Sequence, residues 1–83
     1  FMEAHHLVPV KYQQLIWAKY SINVDCVENI VSLCPTCHRA FHNGTKEVKA
    51  KIIEDIYQKL IPRYKSIGFN ITLEEVKELY KVK

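Results

Sequence analysis

The chain has 83 residues, 48% hydrophobic and 25% charged, with a formal net charge of +3. That length supports one small domain whose thin core calls for a metal, a disulfide or a partner, and the composition excludes a disordered chain. No apolar run approaches the ~18–20 residues of a membrane span, and no secretory leader pattern is visible, so no membrane partner is expected.

The three cysteines do not suit a closed disulfide framework. A reducing, cytoplasmic location is therefore expected. Residues 1–43 balance to zero charge, and residues 44–83 carry the whole basic excess. A weakly basic half suits a polyanionic partner, although a solvated lysine face gives the same count. The chain opens on Phe1 inside an apolar segment, with no capping or turn residue ahead of it. That is expected of a piece of a longer protein.

In chain order, residues 2–7 are expected to form a strand that Pro9 ends. Tyr12, Leu15, Ile16 and Lys19–Tyr20 fall at helical spacing, which predicts a helix over 11–20. Trp17 and Tyr20 are read as core residues and not as base-stacking ones. "SINVDCVEN" reads as loop, with Cys26 a small buried apolar residue. The β-branched run "NIVSL" (29–33) is the second strand. The knuckle "CPTC" then leads into a short helix through "CHRAFHN", stopped by Gly44.

From Thr45 onward, Val48, Ile52, Ile56, Leu60 and Tyr64 mark an amphipathic helix with lysines on its far face. Pro62 lies inside that pattern and predicts a kink or break. Thr72 with Glu75 makes a capping box and Ile71 with Val76 a hydrophobic staple. The last helix then presents Val76, Leu79 and Tyr80 as an apolar stripe. Residues 45–83 are expected to pack on residues 1–44 within the same domain.

His38 and His42 stand four apart on a predicted helix, so both project from one face. Two imidazoles so placed can reach one metal ion. Strand alternation puts Glu3 and His5 on one face and His6 on the other. If His5 joins His38 and His42 on an ion, Glu3 is placed to accept its second ring N–H. His6 then stays unligated and is suited to deprotonate a water.

"EAHHLVP" together with "ENIVSLCPTCHRAFHNG" resembles the core of the HNH nucleases. The resemblance implies an α+β fold of the ββα-metal type (His-Me finger), two antiparallel strands and a helix around one catalytic ion, here with extra C-terminal helices. It implies DNA phosphodiester hydrolysis, with His5 and His38 as metal ligands and His42 as an additional ligand. His6 matches the general base, and Asn29 matches the Asn that braces the loop and orients that base. The interval from His6 to Asn29 is longer than in compact members. Relatives with the same knuckle usually carry a second CxxC upstream, so the resemblance implies that Cys34 and Cys37 are half of a structural zinc site if such cysteines precede Phe1. Magnesium, manganese, zinc or nickel is the implied catalytic ion, double-stranded DNA the implied partner, and a homodimer is compatible with the pattern.

Three rival readings remain. "CPTCH" is also the attachment signature of c-type haem, though that leaves the His-His pair, Asn29 and His42 unexplained. A thioredoxin-like CxxC lacks its βαβ context. A structural zinc module that binds DNA or protein and cuts nothing is the main non-enzyme rival, and it has no use for His6. Arg39 is a secondary candidate for a phosphate contact. Lys46, Lys49, Lys51, Lys59 and Lys65 are candidates for non-specific phosphate contacts, with a solvated face as their default.

Overall fold

The computed structural model describes residues 2–82. Phe1, on which the expectation of a longer parent chain rests, lies outside them, as does Lys83. The fold is α+β, with a two-stranded antiparallel sheet and four α-helices. Strand β1 is Glu3–His6 and β2 is Ile30–Leu33, paired so that Glu3 faces Leu33 and His6 faces Ile30. Helix α1 (Gln13–Tyr20) and its flanking loops separate the strands, and α2 (Pro35–Asn43) follows β2 directly. Among the described residues, no helix is long and apolar enough to cross a membrane.

Strand β1 is shorter than the predicted span of 2–7. Leu7 and Val8 leave the ladder and bury completely, with Leu7 N–H donating to the Asn29 backbone carbonyl at 3.0 Å and the Asn29 side-chain amide pairing with both backbone groups of Val8. A 3₁₀ turn, Val10–Tyr12, follows Pro9 and feeds α1. Trp17 is 58% exposed, contrary to the expected core placement. The helix buries only Ile16, so its outward face carries the indole. Tyr20 is half-buried, with its ring against Phe69 and its hydroxyl donating to Glu75 at 2.5 Å. Cys26 is half-buried rather than a core residue.

Helix α2 begins at Pro35, inside the knuckle, with Cys34 as its N-cap. Proline suits that first position, since its missing N–H has no intrahelical partner to lose. Gly44 ends α2 in an extended conformation (φ −77°) and not a left-handed one. Its need for glycine is spatial: a Cβ would stand 2.5 Å from the Ala40 carbonyl oxygen and 3.0 Å from Val48.

Helix α3 (Lys46–Ser66) runs unbroken through Pro62. Pro62 is exposed, so the carbonyl it strands can turn to water, while buried Leu60 and Tyr64 anchor the helix on either side. Ile53, Ile56, Tyr57, Leu60 and Tyr64 form its buried stripe and join Leu7, Val8, Leu33 and Phe41 in one core. Helix α4 (Leu73–Leu79) starts from the Thr72–Glu75 capping box. Ile71 and Val76 are both buried at its entry. Tyr12 clamps its far end by donating to the Leu79 carbonyl at 3.0 Å.

Candidate metal centre

Because α2 follows β2 without a loop, its first turns lie over the start of β1. The face carrying His38, Phe41 and His42 meets the β1 face carrying Glu3 and His5. The His5 ring sits 4.6 Å from Phe41, 5.4 Å from His38 and 6.0 Å from His42 between centroids. One nitrogen from each of His5, His38 and His42 lies within 4.8 Å of the other two. His38 Nε2 and His42 Nε2 are 3.0 Å apart. Imidazole nitrogens on one zinc-like ion sit ~2.0–2.1 Å from it, which places ligand pairs ~3.3 Å from each other. The three rings therefore fit a single divalent ion.

Glu3 supports a different ring from the one expected. Its carboxylate Oε1 is 3.0 Å from Nδ1 of His38, not against His5. Alternation set the face correctly, but the order of elements set the neighbour. Glu3 pairs with Leu33 at the end of β2, where α2 begins, so His38 in the opening turns of α2 comes closest. A carboxylate only accepts, so Nδ1 of His38 carries the proton and Nε2 keeps its lone pair toward His42. Glu3→Gln is expected to weaken divalent-metal affinity by about 10–100-fold in calorimetric titration. Affinity equal to that of the unaltered chain would show that the pair does not support the centre.

Burial, followed by the charges of His38, His42 and His6, holds the His5 pKa down to about 4 from the usual 6.5. The ring is thus neutral and available as a ligand through the neutral range. The unfolded chain takes up this proton below about pH 6.5, while the folded chain resists until about 4. The metal-free protein is therefore expected to lose stability as pH falls through that window. Thermal melts in EDTA from pH 7 to 4.5 should slope downward, and His5→Gln should flatten the slope. A wild-type melting temperature constant across the window would contradict the burial of His5.

His6 turns away from the cluster. Its Nε2 is 3.0 Å from Asp25 Oδ1, with the imidazole 29% exposed and the carboxylate 70%. The Asp25 backbone N–H donates to Asn23 Oδ1 at 2.9 Å, which shapes the loop that presents the carboxylate. Since the carboxylate accepts, Nε2 carries the hydrogen and Nδ1 has a free lone pair. Asp25 was not a candidate from sequence, because a single acid in an irregular loop carries no spacing signal.

Asn29 is fully buried. Its Oδ1 accepts from Val8 N–H at 3.0 Å and from the Tyr64 hydroxyl at 2.5 Å. Its Nδ2 donates to the carbonyls of Val8 (2.9 Å) and Val24 (2.8 Å). This side chain touches no solvent and acts by holding the β1 exit, the loop and α3 together. On the other side, Tyr80 donates its hydroxyl to the Leu7 carbonyl and reaches to 3.5 Å from His5 Nε2, while its ring packs on Phe41. Tyr80 was read from sequence only as part of an apolar stripe, which does not show where its hydroxyl ends.

Cys34 is half-buried and Cys37 exposed, with the Cys37 N–H 3.4 Å from Cys34 Sγ. Among the described residues, the histidine trio forms a three-donor group and the two thiols have no third donor beside them. Arg39 is exposed and lines a shallow depression with Glu3, Pro35, His38, His42 and Asn43. Lys46, Lys51, Lys59 and Lys65 are exposed, whereas Lys49 is half-buried.

No curated protein and no solved structure matches the chain. Residues 1–45 match the sequence family described as HNH endonuclease. The matched segment ends one residue before α3, so it takes in both strands, α2 and every histidine of the centre. It spans more than half of the 83 residues, and the chain belongs to the HNH endonuclease family.

Proposed function

We propose that the chain is a metal-dependent endonuclease that hydrolyses phosphodiester bonds of double-stranded DNA, with His6 as general base. One observation carries this reading. His5 and His42 of the cluster and the unligated His6 all line one cleft of about 420 Å³. A base and a cation site bordering one cavity are what attack of water on a phosphodiester requires.

His5, His38 and His42 would hold the ion. A bound divalent cation supplies Lewis acidity that stabilises negative charge on the phosphoryl oxygen and the departing 3′ oxygen. Nδ1 of His6 takes the proton of the attacking water, while Asp25 keeps Nε2–H and fixes the ring's tautomer and direction. Asn29 and Tyr80 hold the backbone just beyond His6, so that consecutive histidines keep opposite headings. Three imidazoles favour zinc or nickel in affinity, and magnesium and manganese compete less well for nitrogen donors.

The test is nicking of supercoiled plasmid by metal-stripped protein, with magnesium, manganese, zinc and nickel added back singly. Cleavage restored by at least one ion, and absent in EDTA, is expected. Protein that binds metal with micromolar or better affinity yet leaves plasmid intact with every ion would favour the non-catalytic zinc module.

A further inference from the structure

We infer that the cleft beside the histidine cluster contains a second phosphodiester subsite, in which Lys11 and Lys49 bind the DNA phosphate next to the one that is cut. The inference rests on the nuclease reading for the position of the scissile group, and it concerns residues outside the histidine motif.

The cleft is lined by His5, His6 and His42, and also by Lys11, Lys49 and Tyr80. The two lysines come from distant parts of the chain, Lys11 from the 3₁₀ turn after Pro9 and Lys49 from the opening turns of α3. No carboxylate is among the lining residues. The depression on the other side of His42 differs, since Arg39 there shares the surface with Glu3. Other lysines are committed to acids: Lys19 to Glu75, Lys51 to Asp55 and Lys77 to Glu54. Lys49 is half-buried, and a lysine whose stem lies along a cleft lined by no carboxylate offers its ammonium to an anion arriving there.

The spacing of DNA charges makes that anion a neighbouring phosphate. Each strand carries one phosphate per ~3.4 Å of helix axis. With the scissile phosphate between His6 and the cluster, the next one along the strand is the anion nearest to the rest of that cleft. The Tyr80 hydroxyl is already engaged with the Leu7 carbonyl. The Lys11 ammonium stands 5.3 Å from the centroid of the Tyr12 ring, and from stems that line the cleft both lysines can turn their ammonium groups to an arriving phosphate.

The test uses the full chain, the Lys11→Gln/Lys49→Gln double variant and a Lys51→Gln/Lys65→Gln control. Binding of a fluorescent 20-base-pair duplex is measured in EDTA over a range of salt. Losing two phosphate contacts should lower the slope of log affinity against log salt by about 1.8, and weaken binding roughly tenfold or more near 0.1 M salt. The control should keep the wild-type slope, and nickel affinity should stay unchanged in both variants. A double variant with the wild-type slope, or a control that loses as much, overturns the subsite. Absence of duplex binding by the wild-type chain also overturns it. Failure of the nuclease reading looks different: the slope change persists, but no ion restores plasmid cleavage.

Discussion

His6→Ala is expected to slow metal-dependent plasmid nicking by about 10²–10⁴-fold, the usual contribution of a positioned general base. At ~1.36 kcal/mol per factor of ten, that is ~3–5 kcal/mol of transition-state stabilisation. The fold should survive, because the side chain is partly exposed and its hydrogen bond goes to a loop carboxylate that is 70% exposed. Metal affinity should also survive, since the three nitrogens placed to hold an ion belong to His5, His38 and His42. His5→Ala gives the opposite pattern, with metal binding lost first. Asp25→Asn should give a smaller loss of kcat, because the ring keeps its place but a carboxamide, which can donate as well as accept, no longer fixes its tautomer. Wild-type nicking by His6→Ala would remove the general-base assignment altogether. Equal behaviour of the His5 and His6 variants would contradict the division of labour between them.

The second large effect is on stability. Asn29→Ala removes four hydrogen bonds at a fully buried position. It leaves the Val8 N–H, the Val8 and Val24 carbonyls and the Tyr64 hydroxyl without that partner. Each buried group so stranded costs ~1–3 kcal/mol, with partial relief from relaxation and water. A net loss of about 3–5 kcal/mol is expected. A domain of this size has only ~4–12 kcal/mol in total. The melting temperature should therefore fall by more than about 10 °C. Tyr64→Phe, which deletes one of the four bonds, should cost only ~1–2 kcal/mol. A melting temperature within two or three degrees of wild type for Asn29→Ala would show that the amide network is not what holds the β1 exit.

The placement of Asn29 also explains how a small core supports a site so close to the surface. Leu7 and Val8, immediately after the two histidines, are completely buried. Asn29 holds them from the loop side, and Tyr80 holds the Leu7 carbonyl from the C-terminal side. The backbone that aims His5 and His6 is thus braced from both directions. One of those braces comes from residue 80, well beyond the segment that matches the family. Helices α3 and α4 are therefore part of what positions the centre.

Local chemistry was the most legible part of this protein. The His38–His42 spacing, the alternation in β1, and the Thr72–Glu75 capping box depend on neighbours within four residues. Chain geometry alone dictates such arrangements. The apolar stripe of α3 was equally plain, because a period of three and four residues is a property of the helix itself. Expectations failed where a remote contact decided the outcome. Of the kink or break expected at Pro62, the break does not occur, since buried Leu60 and Tyr64 hold the helix against the core. Trp17 faces outward, because composition cannot say which side of a short helix meets the core.

What the sequence determined by itself was the shared helix face of His38 and His42 and the opposite headings of His5 and His6; packing of β1 on α2 brought His5 to that pair. Tertiary structure alone decided their partners: Glu3 on His38, Asp25 on His6, Tyr64 on Asn29 and Tyr80 beside His5. It also brought Lys11 and Lys49 to one cleft. The physical reason is the same in each case. Which face a side chain takes follows from backbone periodicity, whereas what it meets there depends on how separate elements pack.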